Sequence, residues 1–343
     1  MKKLLEVKSL DLFLRRYNTA HESFILKRKQ EYIIHLLKDL NFELKKGESL
    51  AIVGESGCGK SLLLSALMQL FGDEITIKGE ISFEGQSLLT LSESEKRKIR
   101  GAKIAIVFQD PMNALNPTMK IGEQIAEVLR IHKKLNNRGV KEKVMSLLTE
   151  TGIADARIRY QQYPFEFSGG MLQRVAIAMA LAGEPSLMLA DEPTTALDVT
   201  VQKQVLNLIK AMQKKTGMSL ILVSHDLGVV AETADQVAIM YAGEFVETSD
   251  IFDLFENPSH PYTKGLLKAL PDFNADASGK GLHAIDGSPP DLSRNISGCA
   301  FADRCDSAMN ICKRQKSPAF SINESHQVRC WLFSEQAQAI VGV

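Results

Sequence analysis

The sequence predicts an α/β fold, in which short buried strands alternate with helices. Three short apolar runs, residues 50–53, 187–190 and 220–223, are each followed at once by glycine or polar residues. Two further stretches, "IGEQIAEVLRIHKKL" and "VKEKVMSLLTETG", repeat apolar residues at helical spacing. Parallel strands in such folds present their ligands at their carboxyl ends, so functional groups are expected among the residues that follow each run.

The first apolar run leads into "GESGCGKS", residues 54–61, whose Gly-x-x-x-x-Gly-Lys-Ser spacing between a strand and a helix is that of a P-loop NTPase. Glycines let backbone N–H groups turn toward an anion, and the next helix points its N-terminus at the same anion. We expect a triphosphate here, with Lys60 on its outer phosphates and the Ser61 hydroxyl on Mg²⁺. The predicted nucleotide-binding residues of this loop are Gly54, Glu55, Ser56, Gly57, Cys58, Gly59, Lys60, Ser61 and Leu62. We interpret Cys58 as a small residue that fills space within the loop.

The second and third runs end in further candidates. Asp191 and Glu192 follow the second run, in "LMLADEP". A carboxylate at a strand end is well placed to hold Mg²⁺, and a second one beside it can polarise the attacking water. We assign Asp191 to the metal and Glu192 to the water. His225 follows the third run and is expected at the same phosphate edge.

Between these strands lies "FEFSGGMLQRVAIAMAL", residues 165–181, which resembles the LSGGQ signature of ABC transporter ATPases, with Phe167 and Met171 departing from it. The resemblance implies a RecA-like core with an antiparallel β edge and a helical ABC subdomain at about residues 110–180. It implies that Ser168, Gly169 and Gly170 approach ATP held by a partner subunit. It also implies a Q-loop at Gln109 that touches Mg²⁺ and the attacking water, a D-loop at Asp198 and a switch histidine at His225. The implied catalytic residues are Glu192, His225, Gln109 and Lys60, and the implied Mg²⁺ ligands are Ser61, Gln109 and Asp191.

The adenine base has two candidate partners. The family stacks the base on an aromatic residue upstream of the P-loop, where Tyr17 and Tyr32 both lie. Neither is preferred. The alternative interpretation is that both are surface tyrosines that do not contact the base.

The C-terminal part resembles the tail of dipeptide and oligopeptide importers. The order of "ENPSHPYTKGLLKALP", "GSPPDL" and "HQVRCW" carries this likeness, and "FQDPMNALNPTMKIGEQI" resembles the first of the two ATPases in such importers. We expect an ABC nucleotide-binding domain at 1–250 and an oligopeptide/dipeptide transporter C-terminal domain at 255–343. The implied partners are a second, homologous ATPase subunit, two membrane permeases and an extracytoplasmic solute-binding protein. A nickel importer ATPase and a soluble, non-transport ABC ATPase are the alternative functions.

The tail also collects four of the five cysteines of the chain: Cys299, Cys305, Cys312 and Cys330. Three interpretations stay open. The first is a [4Fe–4S] cluster, toward which the family resemblance also points; the second is four reduced thiols in a small appendage; and the third is zinc, which prefers shorter spacings between paired ligands. The cluster is preferred to the reduced thiols, and the reduced thiols are preferred to zinc.

Composition excludes some classes of function. Basic and acidic residues balance at 41 each, so the chain has no general attraction to nucleic acid, and we expect no nucleic-acid partner. No apolar run approaches the ~18 residues of a membrane span, and charges interrupt the N-terminal stretch before a signal core could form. We expect a peripheral protein at the cytoplasmic face of the inner or plasma membrane.

Overall fold

The computed structural model describes residues 2–19, 29–195, 197–270, 285–293, 296–335 and 337, without the side chains of 17–19 and 29–31. The described strands, in chain order, are β1 (Lys3–Thr19), β2 (Lys29–Lys45), β3 (Ser49–Val53), β4 (Ile75–Phe83), β5 (Gln86–Ser87), β6 (Ile104–Val107), β7 (Leu187–Asp191), β8 (Ser219–Ser224), β9 (Gln236–Tyr241), β10 (Glu244–Asp250), β11 (Phe320–Ser321) and β12 (Gln327–Val328).

The described α-helices are α1 (Lys60–Met68), α2 (Glu93–Ile99), α3 (Pro111–Ala114), α4 (Ile121–His132), α5 (Asn137–Glu150), α6 (Ala156–Arg159), α7 (Gly169–Ala182), α8 (Val199–Thr216), α9 (Leu227–Thr233), α10 (Ile251–Glu256) and α11 (Pro261–Lys268). The three predicted strands are confirmed as β3, β7 and β8, and the two predicted helices as α4 and α5. No helix among the described residues is long and apolar enough to cross a bilayer.

The chain forms two compact units. The first comprises Met1–Leu5, Leu44–Leu50 and Phe83–Val223, and the second comprises Glu6–Glu43, Ala51–Ser82 and Ser224–Val343. The C-terminal segment therefore shares its unit with the P-loop and most of β1 and β2.

A parallel sheet forms the centre of the first unit. In it β7 pairs on one side with β6, Leu187 opposite Ile104, and on the other with β8, Leu187 opposite Ser219. All residues of β7 are buried, as are those of β8. Strands covered on both faces read as continuous apolar runs, and this is why the sequence predicts them.

Helices α4, α5 and α7 pack on one another in the same unit. Their facing side chains are fully buried, among them Ile125, Leu129, Val144, Leu148 and Ile177. Polar residues occupy the other face of α4 and α5, which gives each helix the apolar stripe that the sequence shows. This helical region spans residues 111–182.

Strands of mixed direction organise the second unit. One set runs in the order β11–β12–β10–β9–β3, in which β10 is antiparallel to both β9 and β12; another runs β2–β1–β4. A bulge between Phe245 and Glu247 interrupts the register of β10 with β9.

The tail contributes directly to the core of the second unit. The rings of Tyr241, Tyr262 and Phe301 pack together, with centroids 4.6–5.3 Å apart, beside buried Ala51 and Val53 of β3. Burying aromatic rings of this size is among the largest single contributions to a core. The rest of the described tail consists of short helices, 3₁₀ turns and two-residue strands, as its many prolines predict.

Candidate functional site

The P-loop joins the end of β3 to the start of α1 in the second unit. A Cβ on Gly54 would lie 2.2 Å from the carbonyl oxygen of Met240, so no larger residue fits there. Gly59, directly before α1, has a φ of 111°, which only glycine adopts without strain. The loop is therefore held in one conformation by its glycines.

Lys60 folds back over this loop. Its Nζ donates to the carbonyl oxygens of Gly54, at 2.7 Å, and Glu55, at 3.1 Å, and the side chain is buried. The Cys58 N–H donates to the same Glu55 carbonyl, at 3.3 Å. These bonds close the loop into a ring of backbone around the lysine, the shape that P-loops use to surround a phosphate.

The other loop residues differ in exposure. Ser56, Gly57 and Ser61 are exposed, Leu62 is half-buried, and Cys58 is buried. Burial raises the pKa of the Cys58 thiol, so it stays protonated at neutral pH. A neutral, inward-facing thiol agrees with its interpretation as a filler.

In the first unit, the end of β7 carries the two acidic candidates. Asp191 is buried, and Glu192 adopts a left-handed backbone, with φ 43°, while its N–H donates to the Val223 carbonyl at 3.0 Å. A side chain other than glycine in that region is strained, and such strain is common at functional sites. Strand β7 thus ends at Asp191, and the backbone of Glu192 turns while its N–H still bonds to β8.

Two donors meet on one oxygen of Glu192. Gln109 Nε2 donates to its Oε2 at 3.2 Å, and Thr195 Oγ1 donates to the same atom at 2.8 Å. The structure therefore brings together two residues that lie 83 positions apart and that the sequence analysis placed in one site. Thr195, which sequence analysis missed, belongs with them, and its place three residues after Glu192 was the only available signal.

The Ser-Gly-Gly segment lies at the start of α7. Ser168 caps this helix by accepting a bond from the Met171 N–H, at 3.4 Å. A Cβ on Gly170 would lie 2.6 Å from Cγ1 of Val201, so the glycine lets the start of α7 approach α8 closely. Asp198 caps α8 by accepting from the N–H groups of Thr200 and Val201, at 3.1 and 3.0 Å. Two predicted elements, at Ser168–Gly170 and at Asp198, thus lie at adjoining helix starts.

His225 and the two candidate tyrosines, Tyr17 and Tyr32, are the remaining predicted site residues. His225 is exposed and follows directly on the buried strand β8. Tyr32 lies in β2 and is 43% exposed. Tyr17 lies in β1, and its side chain is outside the described part of the structure. Tyr17 and Tyr32 both stay candidates for stacking on the adenine base.

The four tail cysteines line one small apolar cavity, together with His260, Phe301 and Trp331. Burial raises the pKa of the Cys299 thiol to about 11 and that of Cys330 to about 12. As placed, no three Cys, His, Asp or Glu side chains of the described residues converge closely enough to hold a metal ion. The cysteines are gathered in one place, as the sequence suggested, but the cavity is not closed around a metal.

Two family models match this chain. Residues 37–195 match the family model described as ABC transporter, and residues 246–312 match the model described as oligopeptide/dipeptide transporter, C-terminal region.

Curated relatives cover almost the whole chain. The dipeptide transport ATP-binding protein DppD of Bacillus subtilis is 45% identical over 99% of this chain and 98% of its own length. The oligopeptide transport ATP-binding protein OppD of the same organism is 46% identical over 98% of this chain and 91% of its own.

A solved structure shares the fold of most of this chain. It is the dimeric, post-hydrolysis structure of the ATP-binding cassette MJ0796 bound to ADP and Pi, with a TM-score of 0.60 and 28% identity. The match covers 72% of this chain and 99% of that one.

Proposed function

Because this chain belongs to the family of ABC transporter ATP-binding proteins for dipeptides and oligopeptides, we propose that it hydrolyses ATP to drive peptide uptake across the cytoplasmic membrane. The observation that carries the proposal is the group at the end of β7, where Gln109 and Thr195 both bond Glu192. A glutamate held in this way can accept a proton from an attacking water. The same chain supplies a complete P-loop to hold the triphosphate.

ATP binding is assigned to the P-loop and the start of α1. Backbone N–H groups of the loop and the helix N-terminus offer donors and positive potential to the phosphates. Lys60 would exchange its bonds with the Gly54 and Glu55 carbonyls for bonds with phosphate oxygens. Hydrolysis then depends on positioning and charge stabilisation more than on covalent chemistry of the protein.

The residues proposed for Mg²⁺ fit a hard cation, since Ser61, Gln109 and Asp191 all offer oxygen. Ser61 presents an exposed hydroxyl in the first turn of α1, and Asp191 presents a carboxylate at a strand end. When bound, Mg²⁺ neutralises charge that develops on the phosphates.

The signature residues are proposed to act on a second subunit. Ser168 and Gly169 are exposed and Gly170 is half-buried at the start of α7, where the N–H groups of a helix N-terminus can bind an anion. In the proposed assembly, two ATPase subunits close head-to-tail on two ATP molecules. Asp198, at the adjoining start of α8, and His225 take the D-loop and switch roles.

The complete importer needs further chains. Two permease subunits would contact the helical region 111–182 near Gln109, and an extracytoplasmic binding protein would deliver the peptide. The ATPase would lie on the cytoplasmic face of the membrane, bound through the permeases.

Uptake in a strain that carries Glu192→Gln at the chromosomal locus tests the function. Labelled dipeptide, labelled pentapeptide and ⁶³Ni²⁺ are supplied in parallel, and Glu93→Gln, the same change at an exposed residue of α2, is the control. We expect peptide uptake to fall about 100-fold or more, with nickel uptake and the control unchanged. Loss of nickel uptake alone would identify the chain as a nickel importer ATPase. If none of the three uptakes fell, the proposed transport role would be contradicted.

For the cysteine cavity we propose a [4Fe–4S] cluster as the occupant, because four thiols share one apolar cavity. Thiolate sulfur is the usual ligand of such clusters, and closing the cavity around one requires the four side chains to turn inward. Iron and acid-labile sulfide are measured on anaerobically purified protein, and on a Cys299→Ser/Cys312→Ser variant. If zinc is found without sulfide, the result favours the zinc interpretation. If neither iron nor zinc is found, it favours four reduced thiols.

A further inference from the structure

The P-loop is held from outside by the C-terminal tail, and we propose that Arg304 is a positioning residue that sets the affinity of the loop for ATP. Arg304 lies between Cys299 and Cys305 in sequence, 249 residues after the P-loop. Its Nη1 donates to Glu55 Oε2 at 2.6 Å, and its Nη2 donates to Oε1 at 2.9 Å. This two-point pair fixes both the position and the plane of the carboxylate.

A second tail residue holds the same loop position. The N–H of Glu55 donates to the hydroxyl of Tyr262, at the start of α11, at 2.9 Å. Both the backbone and the side chain of Glu55 therefore bond to residues beyond position 260. Glu55 is the loop member that binds the tail.

The guanidinium is itself held by the tail and by β9. It makes five bonds: two to Glu55, one from Nη1 to the Tyr241 hydroxyl at 3.3 Å, one from Nη2 to the Ile285 carbonyl at 3.2 Å, and one from Nε to the Asp286 carbonyl at 2.8 Å. A guanidinium has five N–H donors, so this one has an acceptor for each. Its side chain is only 6% exposed, which leaves it no alternative position in solvent.

Movement of Glu55 would be transmitted to the phosphate-binding part of the loop. The Glu55 carbonyl accepts bonds from Lys60 Nζ and from the Cys58 N–H. The carbonyl is thus one of the groups that hold the lysine over the loop. Lys60 is proposed to leave these carbonyls for the phosphates, but fixing Glu55 also fixes the backbone of the loop before the nucleotide arrives, and preorganisation of this kind raises affinity.

Charge gives Arg304 a second effect. Glu55 places a carboxylate inside a loop that is proposed to bind a triphosphate, and two like charges at short range repel each other. Arg304 neutralises that carboxylate, whose side chain is only 27% exposed and therefore weakly screened by solvent. Without Arg304, the loop would meet ATP with an unpaired negative charge.

The test compares ATP affinity in the full-length chain, purified anaerobically, for wild type, Arg304→Met, Glu55→Gln and the double variant. This inference rests on the proposed ATP site. We expect Arg304→Met to raise the Kd for ATP about tenfold. In the assembled transporter the KM for ATP should rise by a similar factor, with kcat changed less than about threefold, because Arg304 does not touch the reacting atoms. Glu55→Gln in the Arg304→Met background should restore the Kd to within about threefold of wild type, because it removes the unpaired charge.

A purely structural role would give a different pattern. If Arg304 served only to fold the tail, the double variant would bind ATP as weakly as Arg304→Met and would share its lowered Tm. Arg304→Lys, which keeps the charge but not the two-point bond, should give an intermediate Kd. Arg314→Met, the same change at an exposed arginine of the tail, should bind like wild type.

The two proposals fail in different ways. Wild-type protein that binds no ATP would overturn the function assigned to the P-loop. Wild-type protein that binds ATP, with Arg304→Met binding equally well, would overturn the role of Arg304 alone.

Discussion

Glu192 is the residue at which local geometry and proposed chemistry meet. Its left-handed backbone is kept in place by the bond from its N–H to Val223, and its carboxylate by Gln109 and Thr195. Strain at one residue is tolerated where the neighbours determine the conformation. The residue proposed as general base is therefore held by three separate bonds.

Removing one of these bonds should slow hydrolysis without weakening ATP binding. In Thr195→Val the shape of the side chain is kept and the 2.8 Å bond to Glu192 is lost. We expect kcat of the assembled transporter to fall about 3- to 10-fold, as the loss of about 1 kcal/mol of orientation predicts, with KM unchanged. Thr90→Val, in an exposed loop, is the matched control. Equal kcat in both variants would show that Gln109 orients Glu192 without help.

Tyr160 gives a second prediction, for stability at high pH. Burial and its 2.7 Å bond to Glu123 raise the pKa of Tyr160 to about 12, compared with about 10 in an unfolded chain. The unfolded chain loses the phenolic proton first, so the stabilisation is complete below pH 10 and is lost between pH 10 and 12. The free energy of unfolding can fall by at most about 1.4 kcal/mol per pH unit in this range. The actual loss is smaller, because Glu123 and Arg130 nearby are partly exposed and solvent screens their charges.

Urea unfolding of wild type and Tyr160→Phe from about pH 9 to pH 11 measures this difference. Lysines titrate in both proteins, so the comparison isolates the phenol. The wild type should lose stability more steeply than the variant above about pH 10. Parallel curves would show that the phenol has the same pKa in the folded and unfolded chains.

Among the elements, α8 shows how one residue can serve both a helix and a site. Asp198 satisfies two N–H groups at the start of α8, and Gly170 of α7 packs on the same turn. The cap therefore fixes the position of two of the proposed ATP-contacting segments relative to each other. Both segments lie within the first unit.

Replacing this cap should destabilise the protein by a predictable amount. Asp198→Ala should lower the free energy of unfolding by about 1 kcal/mol, whereas Asp198→Asn, which can accept the same bonds, should lower it by a few tenths. Chemical denaturation of the purified chain compares the two variants. If Asn were as destabilising as Ala, the charge of Asp198 rather than its capping bonds would be the stabilising feature.

Elements of this chain were predictable where one physical pattern dominates. Strands β3, β7 and β8 are covered on both faces and appear as apolar runs, and α4 and α5 show a helical stripe. The P-loop and the acidic strand end were predictable because glycines and carboxylates are needed at fixed spacings. These are local signals, contained in fewer than about 20 residues each.

Contacts between distant residues had no such signal. Neither Arg304 nor Tyr262 carries a sequence pattern that points to Glu55, because pairing across more than 200 residues depends on the completed fold. The tail looked like an appendage, since its short elements contain few apolar residues. Its Tyr262 and Phe301 instead complete a core that is built mainly by β3, β9 and β10.

For the molecule as a whole, this shared core means that the tail cannot be removed cleanly. Glu247 on β10 accepts bonds from the backbone N–H groups of Ser259 and His260 and from the buried ring of His326, which also bonds Asp253. Removing the tail would leave a buried carboxylate without these donors and would expose apolar side chains of β9 and β10.

Truncation measures this dependence. A chain that ends at residue 250 should be insoluble or should melt well below the full chain. Soluble expression and thermal unfolding compare the two. A well-folded chain ending at 250 would show that the tail is an independent domain after all.

The cysteine cavity has one further consequence, which is optical. Trp331, the only tryptophan in the chain, lines this cavity beside Cys330, and its indole N–H donates to the Gln315 carbonyl at 3.0 Å. All tryptophan fluorescence of the chain therefore originates at the wall of the cavity. Emission of the unlabelled subunit, recorded while iron, zinc or an oxidant is added, reports directly on what enters the cavity and when it opens.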